Sequence, residues 1–302
     1  MLMGKASNAQ EQLKSEELSE RSPMNNFKLE NTMKIVQLSI GALTSFVMQC
    51  LVRGVESIRM VRAAFSLLNA LECVSCPFSK KNLLDRLLSI QPHDGGWADP
   101  EETAWAISVI SRLSREDSEI IQKAQHWLES VRNPNGGWGR HPRDRVRIPT
   151  TSLVLTLVPS VGIDSDREWV RLAWEKDLNS PVRLSYKGGF YLLTINNDNK
   201  SKIDPLVSRT IAYLAEDQND DGGFGPWRNH PIGSDPWSTG VVLWGLSKWI
   251  DNVDPVVIEK ALAWLERTQL PSGYWPYHYL DEGTSYALIG TVAALRAMAS
   301  RK

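Results

Sequence analysis

Apolar residues follow two different patterns along this chain. In A-Q-H-W-L-E-S-V (124–131), T-I-A-Y-L-A-E-D (210–217) and A-L-A-W-L-E-R-T (261–268) they recur every three or four positions. That spacing predicts helices with one buried face. In E-T-A-W-A-I-S-V-I (102–110), T-S-L-V-L-T-L-V (151–158), S-T-G-V-V-L-W-G-L (238–246) and T-S-Y-A-L-I-G-T-V (284–292) apolar residues lie nearly all round. Such helices are buried on most sides.

Between the two kinds stands a turn rich in Asn, Asp, Pro and Gly, ending on an aromatic. The copies are I-Q-P-H-D-G-G-W to Trp97, R-N-P-N-G-G-W to Trp138, D-Q-N-D-D-G-G-F to Phe224 and T-Q-L-P-S-G-Y-W to Trp275. S-Y-K-G-G-F, ending at Phe190, reads as a weaker copy. A period of about 45 residues marks a repeat architecture. Amphipathic helices outside and apolar helices inside, alternating around a ring, give an all-α fold: an α/α barrel (toroid) of about six helical hairpins. Segments near 33–52, 56–75 and 81–90 supply the remaining helices. Thr103, Thr151, Thr239 and Thr284 hold equivalent places near the inner helix starts, where a hydroxyl satisfies a free N–H. No strand pattern competes.

Residues 1–31 are polar, with little to bury, and read as a disordered tail ahead of a single barrel domain at 32–302. No secretory pattern precedes it, so a cytoplasmic location is expected. The stretch from Ile35 to Val52 is apolar but interrupted by Gln37, Ser39, Thr44, Ser45 and Gln49. It reads as a buried helix compatible with peripheral membrane contact. Cys50, Cys73 and Cys76 lack further ligands at zinc spacing and read as free thiols.

Lys plus Arg number 34 and Asp plus Glu 35, which argues against nucleic acid as a partner. Trp, at 12 residues, stands out. The aromatics that end each repeat read as packing, whereas Trp105 and Trp237 break the repeat and are cavity candidates. Trp227, Phe190 and Tyr277 belong to the same end of the ring, because all inner helices of such a barrel begin at one mouth.

At that mouth lies D-P-E-E-T-A, from Asp99 to Ala104. Carboxyls crowded together keep a proton more readily than one alone. Carboxylates at a helix N-terminus are also favourable without any function. The loop G-R-H-P-R-D-R-V-R brings Arg140, Arg143, Arg145 and Arg147 to the same end. They fit a diphosphate head group, a solvated loop, or ion pairs with Asp99, Glu101 and Glu102. No metal-binding signature is present; magnesium would enter only as a diphosphate counter-ion.

The repeated turns and D-P-E-E-T-A resemble the squalene–hopene cyclase and class II terpene cyclase family, from about residue 81 onward. The turns are similar to that family's Q-W motifs. D-P-E-E-T-A resembles the Asp-x-Asp-Asp-Thr-Ala sequence that protonates an alkene, with two Asp replaced by the longer Glu. The resemblance implies Glu101 as general acid, Glu102 and Asp99 as its modulators, an isoprenoid substrate and no cofactor. Family members usually carry a second helical domain that closes the cavity, so here the cavity is expected to be capped by the N-terminal segment, a partner or a second copy, or to be open to water. Protein prenyltransferases share the fold, but their zinc ligands are missing: Trp237 stands near the expected Cys. A non-catalytic barrel that binds a hydrophobic ligand or partner protein is the alternative.

Overall fold

The computed structural model describes residues 22–54, 57–71, 76–114, 118–195 and 203–301 of the 302. Six helices form an outer layer: α1 (Ser22–Arg53), α3 (Lys80–Ser89), α5 (Ser118–Ser130), α7 (Asp164–Leu178), α9 (Pro205–Asp217) and α11 (Pro255–Thr268). Six alternate with them inside: α2 (Ser57–Leu71), α4 (Pro100–Leu113), α6 (Ile148–Leu157), α8 (Ser185–Thr194), α10 (Pro236–Ser247) and α12 (Leu280–Ser300). Each inner helix packs on the next, and α12 packs back on α2, so the ring closes. Among the described residues there is no strand; Gly139 and Val146 form one isolated bridge.

The start of several helices is written as Asp-Pro. Asp99, Asp204, Asp235 and Asp254 each accept a hydrogen bond from a backbone N–H of the first turn, and Pro follows in each case. Pro suits that position because its missing N–H would have had no helical partner.

The repeats interlock with their neighbours. The indoles of Trp97, Trp138 and Trp275 donate to the carbonyls of Leu87, Leu128 and Leu265, ten residues back at the end of an outer helix. Gln218 and Gln269 donate both to the turn glycine, Gly222 or Gly273, and to the next outer helix, at Val257 and Ile35. Asp94 and Asp221 accept from Trp127 and Trp264 of the following outer helix. The ring closes by the same device, because the last turn clasps α1.

Four expectations change. Thr103, Thr151, Thr239 and Thr284 are not caps. Their hydroxyls accept the backbone N–H of Trp97, Trp138, Phe224 and Trp275, which fastens each turn to its inner helix. S-Y-K-G-G-F is not a turn either, since it lies within α8. Its Gly189 lets α8 meet α10: a Cβ on Gly189 would stand 2.9 Å from the Val241 carbonyl oxygen. The 33–52 segment is an outer helix, not a fully buried one. Residues 30–53 are long and apolar enough to cross a membrane, with mean hydropathy 1.8, and Met33, Leu38, Met48 and Val52 are exposed. Finally, α1 begins at Ser22, inside the span read as a tail; residues 1–21 lie outside the described residues, as does Cys73. Cys50 is a buried free thiol.

Candidate active site

A cavity of about 610 Å³ opens where the inner helices begin. Every inner helix lines it with residues of its first two turns or its cap: Arg62 of α2, Glu101 of α4, Thr150 of α6, Tyr186 of α8, Trp237 of α10 and Glu282 of α12. The six starts therefore share one end of the ring. The size falls within the range of about 300–1,000 Å³ typical of small-molecule sites.

The wall is divided. On the α8, α10 and α12 side, Tyr186, Phe190, Trp237 and Tyr286 pack as a group, with centroids 4.9 Å apart for Tyr186–Trp237 and 5.6 Å for Trp237–Tyr286. Tyr277 adds to that wall. On the α2, α4 and α6 side stand Arg59, Arg62, Asp99, Glu101, Arg140 and Arg147. Below the cavity the barrel is filled. Trp105 of α4 stacks on Trp244 of α10 at 6.4 Å, across the ring, and Phe65 meets Trp105 at 4.7 Å.

Glu101 sits where the two walls and the floor meet. Its Oε1 is 3.5 Å from the Trp105 indole nitrogen and 3.5 Å from the Tyr286 hydroxyl. The same oxygen is 3.8 Å from the Arg62 guanidinium, which lies 3.1 Å from Glu282. Burial raises the Glu101 pKa above the ordinary carboxylate range. Arg62 and the Trp105 N–H pull it down, while Asp99 and Glu282 push it up. A carboxyl whose pKa is raised beside an aromatic wall keeps its proton to higher pH, as a proton donor requires.

Asp235 is a second buried acid on the wall. Burial raises its pKa, against the pull of its bonds to Ser238 and Trp237. Its two oxygens accept from the Ser238 N–H and hydroxyl at 2.7 Å each, which suits a carboxylate cap.

The structure brings Asp99, Glu101, Phe190, Trp237, Tyr277, Arg140 and Arg147 to the cavity. It places the other expected residues elsewhere. Glu102 is buried and does not line the cavity, because one step along a helix turns the side chain away from Glu101. Trp105 packs beneath the cavity, outside its lining, with no exposed surface. Trp227 is 39% exposed and packs edge-on against His230, outside the lining. Arg143 and Arg145 are exposed and do not line the cavity. Arg147 pairs with Asp144 at 3.0 Å rather than with the acids.

Arg62 and Glu282 were not singled out from the sequence. A charged residue within S-I-R-M-V-R-A-A-F, an otherwise apolar inner helix, was the available signal for Arg62. The stretch D-E-G-T-S-Y, aligned with D-P-E-E-T-A at an equivalent helix start, was the signal for Glu282. Among the described residues, no three His, Cys, Asp or Glu side chains gather as a metal site.

Comparison with known proteins adds to this geometry. No protein-family model matches the chain. Enfumafungin synthase efuA of Hormonema carpetanum is 24% identical over 60% of this chain, which spans only 14% of that protein. Among solved structures, the type II terpene cyclase MstE of Scytonema superposes with a TM-score of 0.67 without ligand. The match has 15% identity and covers 87% of this chain and 99% of that one. A complex of MstE with its substrate geranylgeranyl dihydroxybenzoate gives 0.65, with 15% identity, 88% and 99%. A protein from Actinoplanes gives 0.57 at 15% identity, covering 81% and 90%. The chain thus has the all-helical α/α-barrel fold of a type II terpene cyclase.

Proposed function

We propose that this chain is a compact terpene or prenyl cyclase that starts reaction by protonating an isoprenoid alkene. The observation that carries the proposal is Glu101: a partly buried carboxyl with a raised pKa, set between the aromatic wall and Trp105. The acid gives its proton to one alkene carbon, and the π pair forms the new C–H bond. The cation left on the other carbon is attacked by the next alkene of the chain, closing a ring. Loss of a proton from the final cation to a base or water ends the sequence, so substrate and product are isomers. Trp237, Phe190 and Tyr286 offer π faces to passing cations, each worth about 0.5–2 kcal/mol. Asp99 fixes the start of α4 and adds the negative charge that favours the protonated form of Glu101. Proton donation by a carboxylic acid needs no metal; magnesium would accompany only a diphosphate.

The substrate is an isoprenoid with a polar head. Arg140 and Arg147 at the rim would bind a head group of negative charge, a diphosphate or an aryl acid such as that on the MstE substrate. The apolar exposed face of α1 suits a membrane-peripheral location from which a lipid-like substrate could be drawn. Because the rim residues Arg140, Arg147 and His278 are exposed, a capping partner or second copy would exclude water during turnover.

A non-catalytic hydrophobic-ligand barrel is the second reading. It is favoured by the Trp105–Trp244 contact, which fills the lower barrel, and by the closeness of Arg62 to Glu101. Incubation of the purified protein with prenyl diphosphates, squalene and geranylgeranyl dihydroxybenzoate separates the two. Cyclised product that disappears in Glu101→Gln supports the cyclase; binding without product supports the barrel.

A further inference from the structure

One guanidinium stands between two carboxyls at the head of the ring. Arg62, on α2, is 5% exposed. Its Nη1 lies 3.1 Å from Glu282 on α12 and 3.8 Å from Glu101 on α4, the two inner helices that flank α2. Both are ion pairs, and the one with Glu282 is the closer by 0.7 Å, from 3.8 to 3.1 Å. Its Nε has no hydrogen-bond partner among the described residues. The Tyr286 ring lies 5.7 Å from its guanidinium carbon, a π face along which the fork can sit against either acid. The remaining acid nearby, Asp281, is taken by Arg59, whose Nε is 3.1 Å from it and whose fork lies over Tyr279.

We propose that Glu282 is a positioning residue: by holding Arg62 in its own ion pair, it keeps the guanidinium off Glu101 and so leaves Glu101 able to carry a proton. The inference rests on the reading of Glu101 as the acid. A guanidinium hydrogen-bonded to Glu101 favours the ionised form and removes the proton the reaction needs. Arg62 has little surface left for water to satisfy, so without Glu282 the fork turns to the next acceptor, Glu101. The other charged groups facing the cavity do not substitute. Asp99 is engaged as the α4 cap, Asp235 is held by Ser238, and Arg140, Arg147 and His278 lie at the exposed rim.

The test reads Glu101 directly. Infrared difference spectra across a pH titration detect the carbonyl stretch of a protonated carboxylic acid, and Glu101→Gln identifies the band. In Glu282→Gln the midpoint falls by about one pH unit or more, the usual effect of an arginine gained by a carboxylate. Glu282→Asp, which keeps the charge, recovers part of the fall. In an Arg62→Met background Glu282→Gln moves the midpoint far less, because the two residues act as a unit. An unchanged or raised midpoint in Glu282→Gln overturns the proposal. So does an equal fall with and without Arg62, which would make Glu282 merely a neighbouring charge. If the titrations behave as expected but no substrate is cyclised, the cyclase reading fails and the positioning role stands.

Discussion

Trp105 lies one helical turn beyond Glu101 on α4, and its indole nitrogen is 3.5 Å from the acid's Oε1. Residues four apart share a helix face, so the floor of the cavity and its proton-holding group come from one short segment. The N–H favours the ionised carboxylate. Trp105→Phe keeps an aromatic floor and deletes that donor. Glu101 then stays protonated to higher pH, and the alkaline limb of a pH–rate profile moves upward. A limb that stays put or moves down would separate Trp105 from the acid.

The raised pKa of Glu101 also predicts a stability signature. The folded state binds this proton more tightly than the unfolded chain does. Its stabilising effect is full below the ordinary glutamate pKa and is lost as pH rises through the raised folded value. Glu101→Gln does not titrate. Relative to wild type, the variant therefore gains stability as pH rises through that window, measured by urea unfolding at several pH values. A difference independent of pH would show that Glu101 titrates normally.

Ring closure depends on a glycine. Gly273 has φ of 85°, and a Cβ there would stand 2.2 Å from the Leu38 carbonyl oxygen on α1. Gly233 has φ of 72° but open space around its Cβ position. Gly233→Ala costs backbone strain alone, about 1 kcal/mol. Gly273→Ala adds a backbone clash at the seam and costs about 2–4 kcal/mol in all. Denaturant unfolding of both variants measures the contrast.

The rim arginines carry a specificity prediction. Arg140→Ala with Arg147→Ala raises KM for a prenyl diphosphate about tenfold or more, the value of lost hydrogen bonds to a charged group. The same change leaves KM for squalene, which has no charged head, within about twofold. Equal effects on both substrates would place the head group elsewhere.

Much of the barrel was legible because its hydrogen bonds repeat. Gly-Gly-Trp turns and two grades of helix amphipathicity each mark a fixed place in the hairpin. The weaker copy at Phe190 misled for a physical reason. Gly-Gly serves equally as a turn of positive φ and as a flat face where α8 and α10 meet. The four threonines were placed correctly along the chain, but their partner is the turn behind them rather than the helix ahead. In the site, Glu101 was reached through local sequence. Arg62 and Glu282 were not, since what makes them matter is a contact across 220 residues, visible only when the ring closes. Arg143 and Arg145 were included because a loop's sequence does not reveal which of its side chains reach the cavity.

The most direct measurement is product formation by wild type and Glu101→Gln, without added metal, from geranylgeranyl diphosphate, squalene and geranylgeranyl dihydroxybenzoate. The account predicts a cyclised isomer of at least one of them from wild type, reduced at least about a hundredfold in Glu101→Gln, the usual effect of removing a general acid. Cyclised product made equally well by Glu101→Gln would contradict it.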